Sequence, residues 1–444
     1  MDTGIGDILG VAVPAILCGL LVVTLMVHKE LGPFSGITAG GKWMLTLAFG
    51  MGVIAFAFKI IVALSIAKAP ERVVAPIIAA YRQSPVTPLK DWGATYDSAA
   101  LLASYVWQPL PQTAPAPPDN PTTADKVALG KRLYYETRLS RDSKLSCASC
   151  HDLYRKAGGD GRRTATGIAG QIGGRNVPTV WNAAFQSVMF WDGRARSLEE
   201  QAKGPIMNPI EMGMPSVAEA ERRITADPSY REEFRRVFGD QPINFDLIAK
   251  AIAAFERTLI TPDAPYDRFV RGDPGALTPA QQRGMALFES VGCVTCHSGP
   301  AFSDASLLGG RMPLRYFPAN ATPYETRYNL MADGGATGRI GVRGIWRVPS
   351  LRNVALTGPY FHNGSVDKLP EAVRIMAAAQ LGASVGGTAT PAHTVVWSPE
   401  ERLFNRMERR AVSDQDVEDI VAFLHSLSSD TLVSQAARTR QAKR

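Results

Sequence analysis

The pattern Cys-x-x-Cys-His occurs twice in this 444-residue chain, as Cys147-Ala148-Ser149-Cys150-His151 and as Cys293-Val294-Thr295-Cys296-His297. No other feature narrows the fold so far. Two thiols three positions apart can each add to a haem vinyl group, and the next residue then puts an imidazole under the ring as an axial ligand. A zinc site would gather four ligands, whereas each motif supplies three, with the histidine tied to its second cysteine. A redox dithiol needs no adjacent histidine. Of the five cysteines only Cys18 lies outside the motifs, within an apolar run, so no disulfide framework remains. The sequence therefore points to two covalently attached c-type haems.

Two haems imply two related domains, and a weak repeat supports this. Gly130-x-x-Leu133-Tyr134 precedes the first motif and Gly284-x-x-Leu287-Phe288 the second, so each unit is a helix running into a haem-attachment loop. Helix starts are legible at Thr278-Pro279-Ala280-Gln281 and Ser197-Leu198-Glu199-Glu200 as capping boxes, and at Ser413 with Asp416 before the last helix. Val417, Ile420, Val421 and Leu424 form its apolar stripe. Alternating apolar runs are scarce, so the expected fold is mainly α.

The N-terminal segment reads differently. Ile8 to Val27 is 20 residues without a charge, about 30 Å as a helix and so the thickness of a bilayer core. A second apolar run, Trp43 to Phe58, resumes after Lys59, which could snorkel to the far interface. The start carries Asp2 and Asp7 and no early Lys or Arg, unlike a signal peptide. We expect a two-helix transmembrane hairpin over 1–67, in contact with membrane lipid. Lys29 and Lys42 place its loop in the cytoplasm and both ends outside. Two buried core helices are the competing reading. Residues 68–121 are expected to be a connector ending in a proline-rich spacer, QPLPQTAPAPPDNP, that holds the body off the bilayer. Domains would follow at 122–275 and 276–428, with a solvated basic tail at 429–444. The net charge of +7 has no basic stripe interleaved with aromatics, which excludes a nucleic-acid partner.

From about Asn120 to Leu427 the chain resembles the bacterial dihaem cytochrome c peroxidases and, more distantly, the MauG-like dihaem enzymes. The stretches that carry the resemblance include DNPTTADKVALGKRLYYETRLSRDSKLSCASCH, RNVPTVWNAAFQSVMFWDGRARSLEEQAKGPIMNPIEMG, GCVTCHSGPAFSD and VPSLRNVALTGPYFHNGSVDKLPEAVRIM. The resemblance implies that the first haem, on Cys147, Cys150 and His151, is peroxidatic. It implies that the second, on Cys293, Cys296 and His297 with Met376 as sixth ligand, donates electrons. Glu211 matches the carboxylate that moves a proton between the peroxide oxygens, and Gln201 a second polar group of that pocket. Trp191 matches an indole between the haems. Asn176, with the carbonyls of Thr357 and Pro359, matches an inter-domain calcium site. The plain readings stand beside these: a solvated loop charge for Glu211, core packing for Trp191 and for Met376.

The chain also departs from the family. In the typical peroxidase a histidine in the loop after the first motif blocks the first iron. Here that loop reads GDGRRTATGIAGQIGGRN, which places Ile168 at that position, and no His or Met occurs between Asp152 and Arg175. Tyr154 and Lys156 are the only substitutes at hand. A first haem open at rest is the expectation. MauG-like enzymes share an open first haem but have a tyrosine where this chain has Met376. Residues 382–410, with His393 and Trp397, read as a surface insertion. His362 is expected to support packing near the calcium carbonyls, and His425 to sit on the last helix.

The expected activity is reduction of hydrogen peroxide by electrons from a small cytochrome c or a cupredoxin. The body would be periplasmic on the bacterial inner membrane, with a homodimer left open. A MauG-like oxidase acting on a protein side chain and a non-catalytic electron-transfer subunit are the competing functions.

Overall fold

Two close helix crossings, one in each half of the body, organise the fold. The computed structural model describes residues 106–310, 312–386 and 411–441, with Lys29 and Thr38. The chain divides into two units at Thr87–Pro88, and both haem motifs belong to the second.

In the first lobe α1 (Ala124–Tyr134) packs on α5 (Phe245–Glu256), with α2 (Leu198–Met207), α3 (Val217–Thr225) and α4 (Pro228–Phe238) around them. In the second lobe, α6 (Pro265–Val270) leads into α7 (Pro279–Ser290), which packs on α9 (Asp414–Ser426), and α8 (Leu369–Ile375) lies against α9. The repeat seen in the sequence is the reason for both crossings. A Cβ on Gly130 would sit 1.8 Å from the Ala251 carbonyl oxygen, and one on Gly284 would sit 1.8 Å from that of Asp419. Only glycine permits so close an approach. The next contacts, Phe255 and Phe423, lie four residues further along α5 and α9, so the lobes repeat each other residue for residue here. Leu133, Tyr134, Leu287 and Phe288 are buried beside the crossings.

Strands are confined to two small ribbons among the described residues. β1 (Leu314–Phe317) pairs antiparallel with β2 (Gly344–Arg347), and β3 (Ser384–Val385) pairs in parallel with β4 (Ala411–Val412). The second ribbon brackets the insertion, of which 387–410, with His393 and Trp397, lies outside the described residues.

The caps at Thr278 and Ser413 form as read, each hydroxyl accepting the N3 amide while Gln281 or Asp416 returns the bond. At Ser197 the hydroxyl accepts the Glu200 amide, but the Glu200 carboxylate takes the Arg196 N–H, one residue further out.

Two expectations need correction. The proline-rich stretch is no free spacer: Trp107 and Leu110 are buried, Asp267 accepts the Leu110 N–H at 2.8 Å, and fully buried Asn120 bonds Glu199 at 2.7 Å. The prolines stiffen a strap that is fastened to both lobes by the apolar and amide side chains between them. Nor does the chain trail off after α9. It forms α10 (Asp430–Gln441), and Leu432 enters the core of the first lobe beside Tyr134 and Trp181. Asp263 anchors its start through Thr431 Oγ1 at 2.8 Å. The hairpin expected at 1–67, with Cys18, lies outside the described residues. Among the described residues, no helix is long and apolar enough to cross a membrane.

Candidate active site

The first motif forms a single helical turn, Cys147–Cys150, opened by Ser146, whose N–H donates to Ser149 Oγ at 3.0 Å. Cys147 and Cys150 enter no disulfide and are both half-buried, which leaves their sulfurs available for thioether bonds to a haem. His151 Nδ1 lies 2.9 Å from the Gly158 carbonyl oxygen. A carbonyl only accepts, so Nδ1 carries the proton and Nε2 keeps its lone pair for a metal. His297 repeats the arrangement, with Nδ1 donating to the Phe302 carbonyl at 3.1 Å. Burial lowers the pKa of both imidazoles, so both are neutral and fit to bind iron.

Glu211 sits in the turn after α2, half-buried, with one oxygen accepting from Asn208 Nδ2 at 2.8 Å. Burial raises its pKa, opposed by the Arg194 charge and the Asn208 bond. A carboxyl whose proton affinity is raised in this way is a candidate to both take and give a proton. The loop after the first motif packs on this turn. Ile168 N–H donates to the Glu211 carbonyl at 2.8 Å, its side chain is buried, and the Cys150 sulfur lies 4.0 Å from the Thr166 carbonyl oxygen. Glu211, Ile168 and Cys150 are thus brought to one place. Tyr154 and Lys156 are both exposed. Gln201, half-buried on α2, has a side-chain amide that makes no hydrogen bond among the described residues.

A large cavity in the second lobe is walled by Cys293, Cys296, His297 and Met376. Met376 is half-buried and opens a short π-helical stretch, Met376–Gln380, that continues α8. The same cavity reaches the first lobe at Trp191 and Asn176 and includes Thr357 and Pro359. Trp191 Nε1 donates to the Asn176 carbonyl at 2.8 Å. Asn176 Nδ2 donates to the carbonyls of Arg162 at 2.9 Å and Arg163 at 3.3 Å. Its Oδ1 and the carbonyls of Thr357 and Pro359 accept no hydrogen bond among the described residues. Such oxygens fit a hard cation, with water completing the shell. No cluster of three His, Cys, Asp or Glu that could hold a metal occurs among the described residues, so a cation here would rest on neutral oxygens alone.

With the geometry in place, comparison decides the family. The model of the di-haem cytochrome c peroxidase family matches residues 124–275. Cytochrome c551 peroxidase of Pseudomonas aeruginosa is 38% identical over 77% of this chain and 88% of its own length. The chain belongs to the bacterial di-haem cytochrome c peroxidases. Cytochrome c peroxidase Ccp of Escherichia coli is 40% identical over 76% of this chain, which spans only 64% of that longer protein. A crystal structure of a MauG-like protein associated with microbial copper homeostasis superposes with a TM-score of 0.58 at 31% identity, covering 73% of this chain and 96% of its own. Membership of the family implies two covalently bound c-type haems, and the two motifs, each with an imidazole whose Nε2 is free, suit them.

Sequence reasoning missed Arg347, which lines the second cavity, and understated His362. His362 is fully buried and its ring stacks on Trp346 at 3.9 Å between centroids, while its backbone carbonyl accepts the Asn176 N–H at 2.7 Å. His425 lies exposed on α9 as read.

Proposed function

We propose that this protein is a dihaem peroxidase that reduces hydrogen peroxide to water with electrons from a small cytochrome c or a cupredoxin, its first haem open at rest. The bound haems supply the iron that takes up peroxide at the first site and the iron that holds an electron at the second. The observation that carries the reading is an asymmetry. At the first site the blocking position is a buried Ile168, set against a carboxyl raised by burial; at the second, Met376 shares a cavity with His297.

Each residue then has a task. His151 and His297, fixed by their Nδ1 bonds, would ligate the two haem irons, and Met376 would be the second ligand at the second haem. Glu211 takes the proton from the near peroxide oxygen and returns it to the leaving one, while Gln201 orients the molecule. Trp191, reached from both lobes, lies on the electron route. Asn176 Oδ1 and the Thr357 and Pro359 carbonyls hold calcium at the seam between the lobes. The two apolar runs within residues 1–67 would anchor the body on the periplasmic face of the inner membrane.

A second reading, a MauG-like oxidase, draws on the same open first site; Met376 speaks for the peroxidase. Peroxide titration of the purified holoprotein separates them. Rapid oxidation of a reduced small cytochrome c by peroxide is the expected result. A long-lived spectral change without donor oxidation would support the second reading. Absence of any spectral response would leave only electron transfer.

A further inference from the structure

Three arginines are buried among the described residues: Arg257, Arg347 and Arg352. Arg257 pairs with Glu199 at 2.5 Å, and Arg352 with Asp267 at 2.8 Å. Arg347 has no carboxylate. It is 3% exposed. Its Nε donates to the Phe190 carbonyl at 2.8 Å and its Nη1 to Gln186 Oε1, while Nη2 donates to nothing among the described residues. Nη2 is not sealed in by protein, as the idle arms of Arg257 and Arg352 are. Arg347 lines the cavity walled by Cys293, Cys296 and His297, and so does Arg315, which is already paired with Asp304 at 2.9 Å. No Asp or Glu lines that cavity.

A buried cation without a counter-ion costs several kcal/mol, and burial alone lowers the pKa of Arg347 to about 10. The cavity therefore calls for an anion on this wall. The second haem brings its own, in the carboxylates of its two propionates, and a guanidinium fork suits a carboxylate.

We propose that Arg347 is the counter-cation of a propionate of the second haem, tying that haem edge to the Gln186–Trp191 segment of the first lobe. The proposal rests on the second haem being seated in this cavity. The connection to the first lobe is already made on the protein side. Phe190 and Gln186 take the guanidinium, and the Arg347 backbone N–H donates to the Trp191 carbonyl at 2.7 Å. A fixed positive charge at the haem edge favours the reduced iron, so Arg347 keeps the second haem easy to reduce. By holding the propionate ionised, it also makes that property insensitive to pH.

The test is a spectroelectrochemical titration of the full-length holoprotein from pH 6 to 9, with R347Q and R347K beside wild type and haem counted by pyridine haemochrome. Wild type should hold two haems, with a second-haem potential flat in pH and indifferent to chloride. R347Q should shift the reduction equilibrium against the reduced form by about tenfold, which is about 59 mV for one electron. It should also introduce a pH slope as the unpaired propionate titrates, and move the propionate bending band in resonance Raman. R347K, which keeps the charge, should retain most of the equilibrium; if R347Q loses its second haem, R347K still reads the Raman band. An R347Q shift below twofold at every pH with the Raman band unmoved overturns the proposal. So does a wild-type potential that follows chloride, which would make a free ion the partner. A single haem in wild type would instead remove the haem-binding reading beneath it.

Discussion

Replacing Gly284 by alanine sets two effects of opposite sign against each other. In mid-helix, alanine gains about 1 kcal/mol over glycine from propensity alone. Against that, the new Cβ would lie 1.8 Å from the Asp419 carbonyl oxygen, 2.5 Å from its carbon and 2.8 Å from the Phe423 Cβ. The two nearest are backbone atoms of α9, so no change of rotamer relieves the overlap. Restoring a contact near 3.5 Å requires α7 and α9 to part by roughly 1.5 Å. That separation loosens Leu287, Phe288 and Phe423 in the core and moves Ile420 and Leu424, which line the haem cavity. Overpacking in a close-packed core costs about 3 kcal/mol at the upper end of its range. Set against the propensity gain, a net loss of about 2 kcal/mol is expected. Urea unfolding of the holoprotein, followed by far-ultraviolet circular dichroism and the Soret band, measures it. A midpoint for G284A equal to or above wild type would mean that propensity wins and that the crossing is looser than described. G130A should lose a similar amount, because the Ala251 carbonyl oxygen stands at the same 1.8 Å.

Other substitutions address the chemistry. E211Q should lower peroxide turnover about 10²–10⁴-fold, the usual worth of a proton shuttle, and remove an acid limb that lies above the ordinary carboxyl range because burial raises Glu211. Turnover within tenfold of wild type counts against its role. I168H should convert the resting first haem from high-spin to low-spin in EPR and make activity depend on prior reduction; an unchanged spectrum rejects the alignment of this position. Glu256, 4% exposed, has its pKa raised to about 8 by burial. The folded state therefore binds the extra proton, and the stability that it brings is whole below about pH 4.5 and lost as pH rises towards 8. Urea midpoints of E256Q should be flatter with pH than those of wild type between pH 5 and 9, and parallel curves would refute this.

What the sequence made legible was local. Cys-x-x-Cys-His is complete within five residues and the caps at Thr278 and Ser413 within four, and the repeated glycines showed two related units, though not the close crossings that they permit. What stayed hidden depended on partners far along the chain. Prolines between Gln108 and Pro121 suggested a stiff spacer, but the fate of that segment was set by burial of Trp107, Leu110 and Asn120, with partners 79 residues away for Asn120 and 157 for Leu110. Helix α10 is mostly polar, and among its described side chains only Leu432 is buried in the core, so periodicity gave little warning. An arginine on a short strand says nothing about whether a carboxylate awaits it, and so Arg347 passed unnoticed. Met376 looked like any core methionine until the family placed it, and the cavity it shares with His297 is consistent with that placement.

The seam between the lobes bears on the proposal that the first haem is open. A loop that carried a blocking histidine would have to leave its place before peroxide could reach the iron. Here the same loop is fastened at several points. Ile168 N–H is bound to the Glu211 carbonyl, and Asn176 Nδ2 holds the carbonyls of Arg162 and Arg163. Arg175 bridges Asp192 of the first lobe and Asp333 of the second, at 2.6 Å each. Gly364 of the second lobe approaches so closely that a Cβ there would lie 2.0 Å from the Arg163 carbonyl oxygen. From Asn176 the bonds run on, through Trp191 Nε1 to its carbonyl and through the Arg347 N–H to that of Trp191. Swinging the loop would break these contacts together and disturb the Trp191 segment with them. With Ile168 at that position the loop carries no ligand to withdraw, so its being pinned at both ends is compatible with the open first haem proposed above.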